Sequence, residues 1–153
     1  MTDEKINFFK KEYIPTLRKI DPATKPVWGK MSFWQMLEHM SDSIRVANGK
    51  SPHQLHTPPA LVDKFKAFIL TEKPFKENTK NALMGEDTLP IRNSSIDAAF
   101  DELQEELNDF FKAFEPHPEQ KVMNPFFGEL NFREWVQLLH KHAIHHLKQF
   151  RIN

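Results

Sequence analysis

The chain has 153 residues, of which 39% are hydrophobic and 27% charged, a balance typical of a protein with one packed core. Basic and acidic residues number 21 each, so no excess positive charge favours a nucleic-acid partner. Cysteine is absent, which excludes disulfides, iron–sulfur clusters and thiolate zinc sites. We therefore expect a single domain over residues 1–153 in which any metal is held by nitrogen or oxygen atoms.

The N-terminal sequence lacks the apolar stretch of a secretory signal, and no window approaches the ~18 consecutive apolar residues of a membrane span. These features predict a cytoplasmic protein without a membrane partner. Hydrophobic residues recur with helical spacing in five segments, and no run of alternating β-branched residues predicts a strand. The predicted class is all-α.

The first helix is predicted over residues 3–20, with Pro15 kinking or shortening its last turns. The second is predicted over residues 33–48, because Ser32 and Gln35 have capping-box spacing and Gly49 suits a left-handed helix end. A shorter helix follows from Thr57, a capping residue before two prolines, to about Leu70.

A long connection over residues 71–93 comes next, and it is interpreted either as a lid that lines a substrate site or as a solvated connection. Ser95 then caps a long helix that continues through Phe114. Asn131 and Glu134 mark the start of a final helix at about 132–150. The pattern predicts a four-helix bundle with one additional short helix and a long connection between the second and third bundle helices.

Half of the eight histidines fall within the seven residues from His140 to His146. On a helix, His142 and His146 are one turn apart and can direct ring nitrogens at one ion. The helical wheel places His145 away from the core and His140 on the opposite flank of the apolar face. The sequence therefore favours the pair His142 and His146 as metal ligands.

Two histidines do not complete a metal site, since zinc and similar ions take at least three protein ligands. The wheel places His39, in the second helix, on the polar side, so spacing alone does not nominate it. Histidines near an apolar face are often hydrogen-bonded core residues, and a histidine-rich helix end is often only surface. From the residues alone, metal binding and packing both remain open.

The combination of His39 with the His-x-x-x-His pattern of the last helix resembles the DinB-like helical superfamily. The flanking residues 28–32 (WGKMS), 38–43 (EHMSDS) and 127–130 (FGEL) are similar to one branch of uncharacterised function within it. The resemblance extends over nearly the whole chain. It implies a four-helix bundle, often as a homodimer, with one divalent metal ion held by His39, His142 and His146.

With this resemblance, zinc or nickel is the expected ion, and manganese, iron and cobalt stay open because affinity order does not decide loading in a cell. Glu38, Asp42 and His145 are candidates for orienting a ligand imidazole, whereas His140 is interpreted as packing. Solvent exposure is the alternative for His145.

The expected function is a metal-dependent enzyme that acts on an unidentified small molecule, by hydrolysis or by transfer of a low-molecular-weight thiol as in some relatives. The alternative is a non-catalytic metal-binding or stress-response bundle that acts through a partner. An open coordination position favours the enzyme, and a fourth protein ligand favours a structural metal.

Overall fold

A computed structural model of the chain describes residues 2–77 and 89–152. The elements are, in chain order, α1 Thr2–Asn7, a π-helical segment Phe8–Glu12, α2 Tyr13–Arg18, α3 Phe33–Ala47, α4 Pro59–Ile69, α5 Ile96–Phe114, β1 Val122–Asn124, β2 Gly128–Leu130 and α6 Phe132–Gln149. The fold is mostly helical, in agreement with the predicted class. Within the described ranges, none of the helices combines the length and apolar character that a bilayer crossing requires.

The first helix is one continuous rod made of α1, the π-helical segment and α2. In the π-helical segment the Tyr13 N–H donates to the carbonyl of Phe8, five residues earlier. Pro15 follows directly, and a proline lacks an N–H group and crowds the carbonyl four residues before it. A wider turn ahead of Pro15 leaves room for the proline ring. The helix continues through Pro15 and ends at Arg18, two residues before the predicted end.

The starts of α3 and α6 are fixed by the two predicted capping boxes. Ser32 Oγ accepts from the Gln35 N–H, and the Gln35 side chain accepts from the Ser32 N–H. Asn131 and Glu134 make the same reciprocal pair at α6. Both helices that carry the candidate ligands therefore begin at defined residues.

The remaining helix ends include one correction. Gly49 has a φ of +84° just after α3, the left-handed geometry expected of it. Ser95 caps α5 through its hydroxyl, as predicted. At α4 the capping position is Pro58 and not Thr57, and no side chain caps the helix. Thr57 is buried instead, with its N–H bonded to the Pro125 carbonyl.

A short antiparallel hairpin precedes α6, and the sequence analysis did not predict it. Val122 pairs with Leu130, and Asn124 pairs with Gly128. Each strand has only three residues, too few to produce an alternating pattern. The side chain of Trp135 in α6 donates to the Val122 carbonyl, which ties the hairpin to the first turns of that helix.

The core forms where α3 packs against α5 and α6, with α1 also against α6. Met36 and Met40 are fully buried there, as expected for core residues. Residues 78–88 lie outside the described ranges, so the two interpretations of the 71–93 connection stay predictions. At its described ends, the Lys141 ammonium donates to the Thr71 carbonyl and Glu38 accepts from the N–H groups of Arg92 and Asn93.

Candidate metal centre

Three histidine side chains meet between α3 and α6. His39 comes from α3, and His142 and His146 come from consecutive turns of α6. The Nε2 atom of His142 lies 2.9 Å from Nε2 of His39 and 2.9 Å from Nε2 of His146. We call these three residues the histidine cluster. In the described part of the chain, no other three His, Cys, Asp or Glu residues are grouped closely enough to hold a metal ion.

The inward position of His39 corrects the helical-wheel analysis, which placed this residue on the polar side of its helix. His39 is half-buried, and its Nδ1 atom is buried without a hydrogen-bond partner among the described residues. Its ring packs edge-on against both His142 and His146, at 4.9 Å between centroids. The wheel failed because α6 covers this side of α3 with polar rings, so a polar face points inward.

Burial keeps the imidazoles of the histidine cluster neutral. It lowers the pKa of His39 to about 4, with a smaller contribution from the charge of His145. Burial also places the pKa values of His142 and His146 well below the usual range, and the neighbouring histidines add to the effect. Neutral imidazole is the form that binds metal ions.

The close contacts in the histidine cluster cannot both be ordinary hydrogen bonds. The Nε2 atom of His142 lies between the other two Nε2 atoms, and an imidazole Nε2 carries at most one proton. If His142 supplies the only proton, it must serve two contacts at once. A divalent cation among the three nitrogens would satisfy all three lone pairs together.

The distances also fit an ion. With bonds of about 2.0–2.1 Å and tetrahedral angles, two nitrogens on one zinc ion are about 3.4 Å apart. The two separations of 2.9 Å are about half an ångström shorter than that value. A bound ion would therefore require the nitrogens to lie slightly farther apart.

The family model of the DinB superfamily matches residues 19–150, which include all three histidines. The chain belongs to the DinB superfamily. Neither the search of curated proteins nor the search of solved structures gives a match.

Among the described residues of this DinB-superfamily chain, the hydrogen bonds of Glu38 and Asp42 go to groups outside the histidine cluster, so their predicted role in orienting an imidazole stays a prediction. The buried Glu38 carboxylate accepts from the Trp34 indole, from the N–H groups of Arg92 and Asn93, and from the Asn93 side chain. Burial acts to raise the pKa of Glu38, but these bonds outweigh it and the pKa is lowered. Asp42 pairs with the Arg92 guanidinium at 3.0 Å. The hydrogen bonds described for both acids thus fasten the start of α5 to α3.

His145 is buried, so the solvent-facing alternative is wrong. Its ring lies between Trp28 and Phe75 and touches the ring of His146, with centroids 5.1 Å apart. Burial lowers its pKa, although a hydrogen bond to the Phe75 backbone acts in the other direction. His145 therefore packs beside the histidine cluster, in ring contact with His146.

His140 packs edge-on against Phe8 and lies outside the histidine cluster, as the sequence analysis expected. The sequence analysis missed Gln149, the last residue of α6. Its side chain is buried and its Oε1 lies 2.7 Å from Nδ1 of His146. The available signal was the spacing, because a polar residue three positions after a candidate ligand lies on the same helix face.

Proposed function

We propose that the chain holds one divalent metal ion through the Nε2 atoms of His39, His142 and His146, and uses it to activate a small molecule. The observation that carries the proposal is the convergence of three neutral imidazoles, one buried and two half-buried, whose facing Nε2 atoms cannot be paired by two ordinary hydrogen bonds. Imidazole ligands suit zinc and nickel, and they also accept cobalt, iron and manganese. Zinc or nickel is the ion we expect.

An enzyme needs a coordination position that the protein leaves open. Three histidines leave a fourth position in a tetrahedral site, and in the described ranges no carboxylate joins the cluster. A divalent ion bound there supplies Lewis-acid chemistry and lowers the pKa of a thiol or water molecule that takes the open position. The protein's own part is to hold the three rings neutral and close together.

Transfer of a small thiol is the reaction that the surroundings favour over hydrolysis. Both nucleophiles must lose a proton, but a thiol, with an ordinary pKa of about 8.5, releases its proton to solvent far more readily than water does and so depends less on a proton-accepting side chain. The two acids that flank His39 on α3, Glu38 and Asp42, are held by Arg92 and Asn93. Because both carboxylates are engaged in these contacts, a substrate that depends less on a base demands less of the described residues.

The architecture that we propose for this function is a single-domain four-helix bundle. The rod of α1 and α2, together with α3, α5 and α6, supplies the four bundle helices, and α4 is the additional short helix. The contacts of α3 with α5 and α6, and of α1 with α6, support this arrangement. A cytoplasmic homodimer with a small-molecule substrate, and with no nucleic-acid partner, completes the proposal.

Elemental analysis of the purified, untagged protein tests metal binding. We expect about one divalent ion per chain in the parent, and near-complete loss in His39→Ala and in His146→Ala, because each variant removes one of three ligands. His140→Ala is the matched control, since His140 lies on the same helix, is half-buried and packs against Phe8 outside the cluster. Circular dichroism verifies that all variants fold.

Metal retained in both cluster variants, or lost equally in His140→Ala, would contradict the assigned ligands. No metal in the parent, even after reconstitution, would rule out the proposed function. A bound metal whose fourth coordination position is occupied by another protein ligand would favour the non-catalytic alternative.

Thiol addition to the cobalt(II)-loaded protein tests the open position and the reaction class. A small thiol that binds there as thiolate should add a charge-transfer absorption band, while the corresponding alcohol should not. His39→Ala, treated identically, controls for thiol binding to free cobalt. An unchanged spectrum at saturating thiol would argue against thiol transfer while leaving metal binding intact.

A further inference from the structure

Gln149 makes two hydrogen bonds at the end of α6, one on each side of its amide. Its Oε1 lies 2.7 Å from Nδ1 of His146, and its Nε2 donates to the Trp28 carbonyl at 3.0 Å. The Gln149 side chain is buried, with 4% of the residue exposed. The amide therefore bridges a candidate ligand and the backbone of the segment that precedes α3.

The partner on the far side determines which way the amide points. A backbone carbonyl only accepts hydrogen bonds, so the Gln149 NH₂ group must face Trp28 and the oxygen must face His146. An amide oxygen also only accepts, so the proton of that bond belongs to Nδ1 of His146. In the neutral imidazole, the form that binds metal ions, Nε2 then carries the lone pair, directed toward His142.

The segment before α3 holds the Gln149 side chain in place. The Val27 N–H donates to the backbone carbonyl of Gln149 at 2.7 Å. Gly29 has a φ of +76°, and a β-carbon at that position would lie 3.3 Å from the Gln149 Nε2 atom. The backbone approaches the amide this closely because Gly29 has no side chain.

We propose that Gln149 is a positioning residue that fixes His146 in the Nδ1-protonated tautomer and so directs its Nε2 lone pair at the metal position. The inference rests on the proposed function for its purpose, while the tautomer itself is a property of the metal-free chain. Acceptors on the distal nitrogen of a ligand histidine commonly set the orientation and basicity of the ring. In this chain the acceptor is Gln149. Its other hydrogen bond, from Nε2 to the Trp28 carbonyl, determines which way the amide points.

Two substitutions separate positioning from simple anchoring. Gln149→Met has a similar length and loses both hydrogen bonds, whereas Gln149→Glu keeps an acceptor for His146 and loses only the donor to Trp28. Gln137→Met is the matched control, because Gln137 lies on the same helix and its amide oxygen accepts from the buried Lys5 ammonium. Each variant is verified to fold by circular dichroism.

The measurements are the zinc affinity, by competition with a chromophoric chelator, and the His146 tautomer, by ring-nitrogen NMR of the metal-free protein at neutral pH. We expect Gln149→Met to bind zinc about 10- to 100-fold more weakly and to lose the single Nδ1-protonated tautomer. We expect Gln149→Glu to keep that tautomer and to bind zinc at least as tightly as the parent. Gln137→Met should stay within about twofold of the parent, since it leaves the second sphere of the metal intact.

Equal weakening of zinc binding in both Gln149 variants would overturn the inference, because it would reduce Gln149 to an anchor for Trp28. An unchanged His146 tautomer in Gln149→Met would overturn it as well. If the parent binds no zinc, the proposed function fails, and the NMR comparison of the metal-free proteins still decides whether Gln149 sets the tautomer.

Discussion

Two partly buried polar clusters lie against α3. In only one of them do the described residues of the protein supply charges of both signs. Near the end of α3, the buried Glu106 carboxylate accepts from Arg45, Asn48 and Lys50, with donor–acceptor distances of 2.7, 3.0 and 2.7 Å. We call these four residues the Glu106 cluster. The histidine cluster, two turns nearer the start of α3, brings together three groups of the same kind and, among the described residues, no opposite charge.

The pKa directions express the same difference. Burial acts to raise the pKa of Glu106, but the bonds from Lys50, Asn48 and Arg45 outweigh it, so the carboxyl stays charged. In the histidine cluster burial lowers the pKa, and the neighbouring rings lower it further. A buried group that has its own counter-charges is explained by stability. Three histidines that converge without a counter-charge among the described residues indicate a missing partner. We propose that this partner is the metal ion.

Removing the Glu106 charge is expected to give the largest change in the free energy of unfolding. Glu106→Gln leaves Arg45 and Lys50 without a full counter-charge, and breaking a fully buried pair costs about 3–5 kcal/mol. Because the side chains of Arg45 and Lys50 are 37% and 35% exposed, water can compensate in part. We therefore expect urea denaturation of the metal-free protein to show a loss of roughly 2 kcal/mol, with zinc stoichiometry unchanged.

The neighbouring, exposed Glu105 supplies the control, and Glu105→Gln should change stability by less than about 0.5 kcal/mol. The reciprocal variant is His142→Leu, which should abolish zinc binding and alter metal-free stability by no more than about 1 kcal/mol, since a buried imidazole is exchanged for an apolar side chain. A Glu106 variant that loses zinc would mean that the two clusters are not independent.

Much of this fold follows from local sequence signals. The capping boxes at Ser32 and Asn131 predict the starts of α3 and α6, and the spacing of His142 and His146 predicts that they share a face. The hairpin escapes prediction because three-residue strands contain too little pattern, and its stability comes from contacts such as the bond between Trp135 and Val122.

The histidine cluster was only half predictable from the residues. A helical wheel ranks faces by hydrophobicity, so it assigns His39 to solvent when the interior opposite it is itself polar. The resemblance to relatives named His39, and the packing of α6 on α3 shows why that position points inward. Gln149 and the burial of His145 depend on the segment around Trp28, which no local pattern places beside the end of α6.

Acid titration of the metal-free protein sharpens the contrast with a smaller effect, because the two clusters lose stability in different pH windows. The pKa of His39 is lowered to about 4 in the folded chain, below its unfolded value of about 6.5, so the unfolded chain binds protons first. The free energy of unfolding should therefore fall as pH decreases from about 6.5 toward 4. Glu106, whose folded pKa lies below the usual value, stabilises the fold above about 4.5, and this contribution is lost as pH falls through its folded pKa.

One variant in each cluster tests which cluster is responsible for the loss of stability in each pH window. His142→Leu should flatten the decrease between pH 6.5 and 4, because it removes an imidazole whose pKa burial lowers well below the usual value. The flattening is partial because burial also lowers the pKa values of His140 and His145. Glu106→Gln should leave that window unchanged and reduce the decrease below about pH 4.5. If both variants flatten the decrease in the same pH window, the histidine cluster and the Glu106 cluster are coupled. The contrast between them would then give no support to a metal ion at the histidine cluster alone.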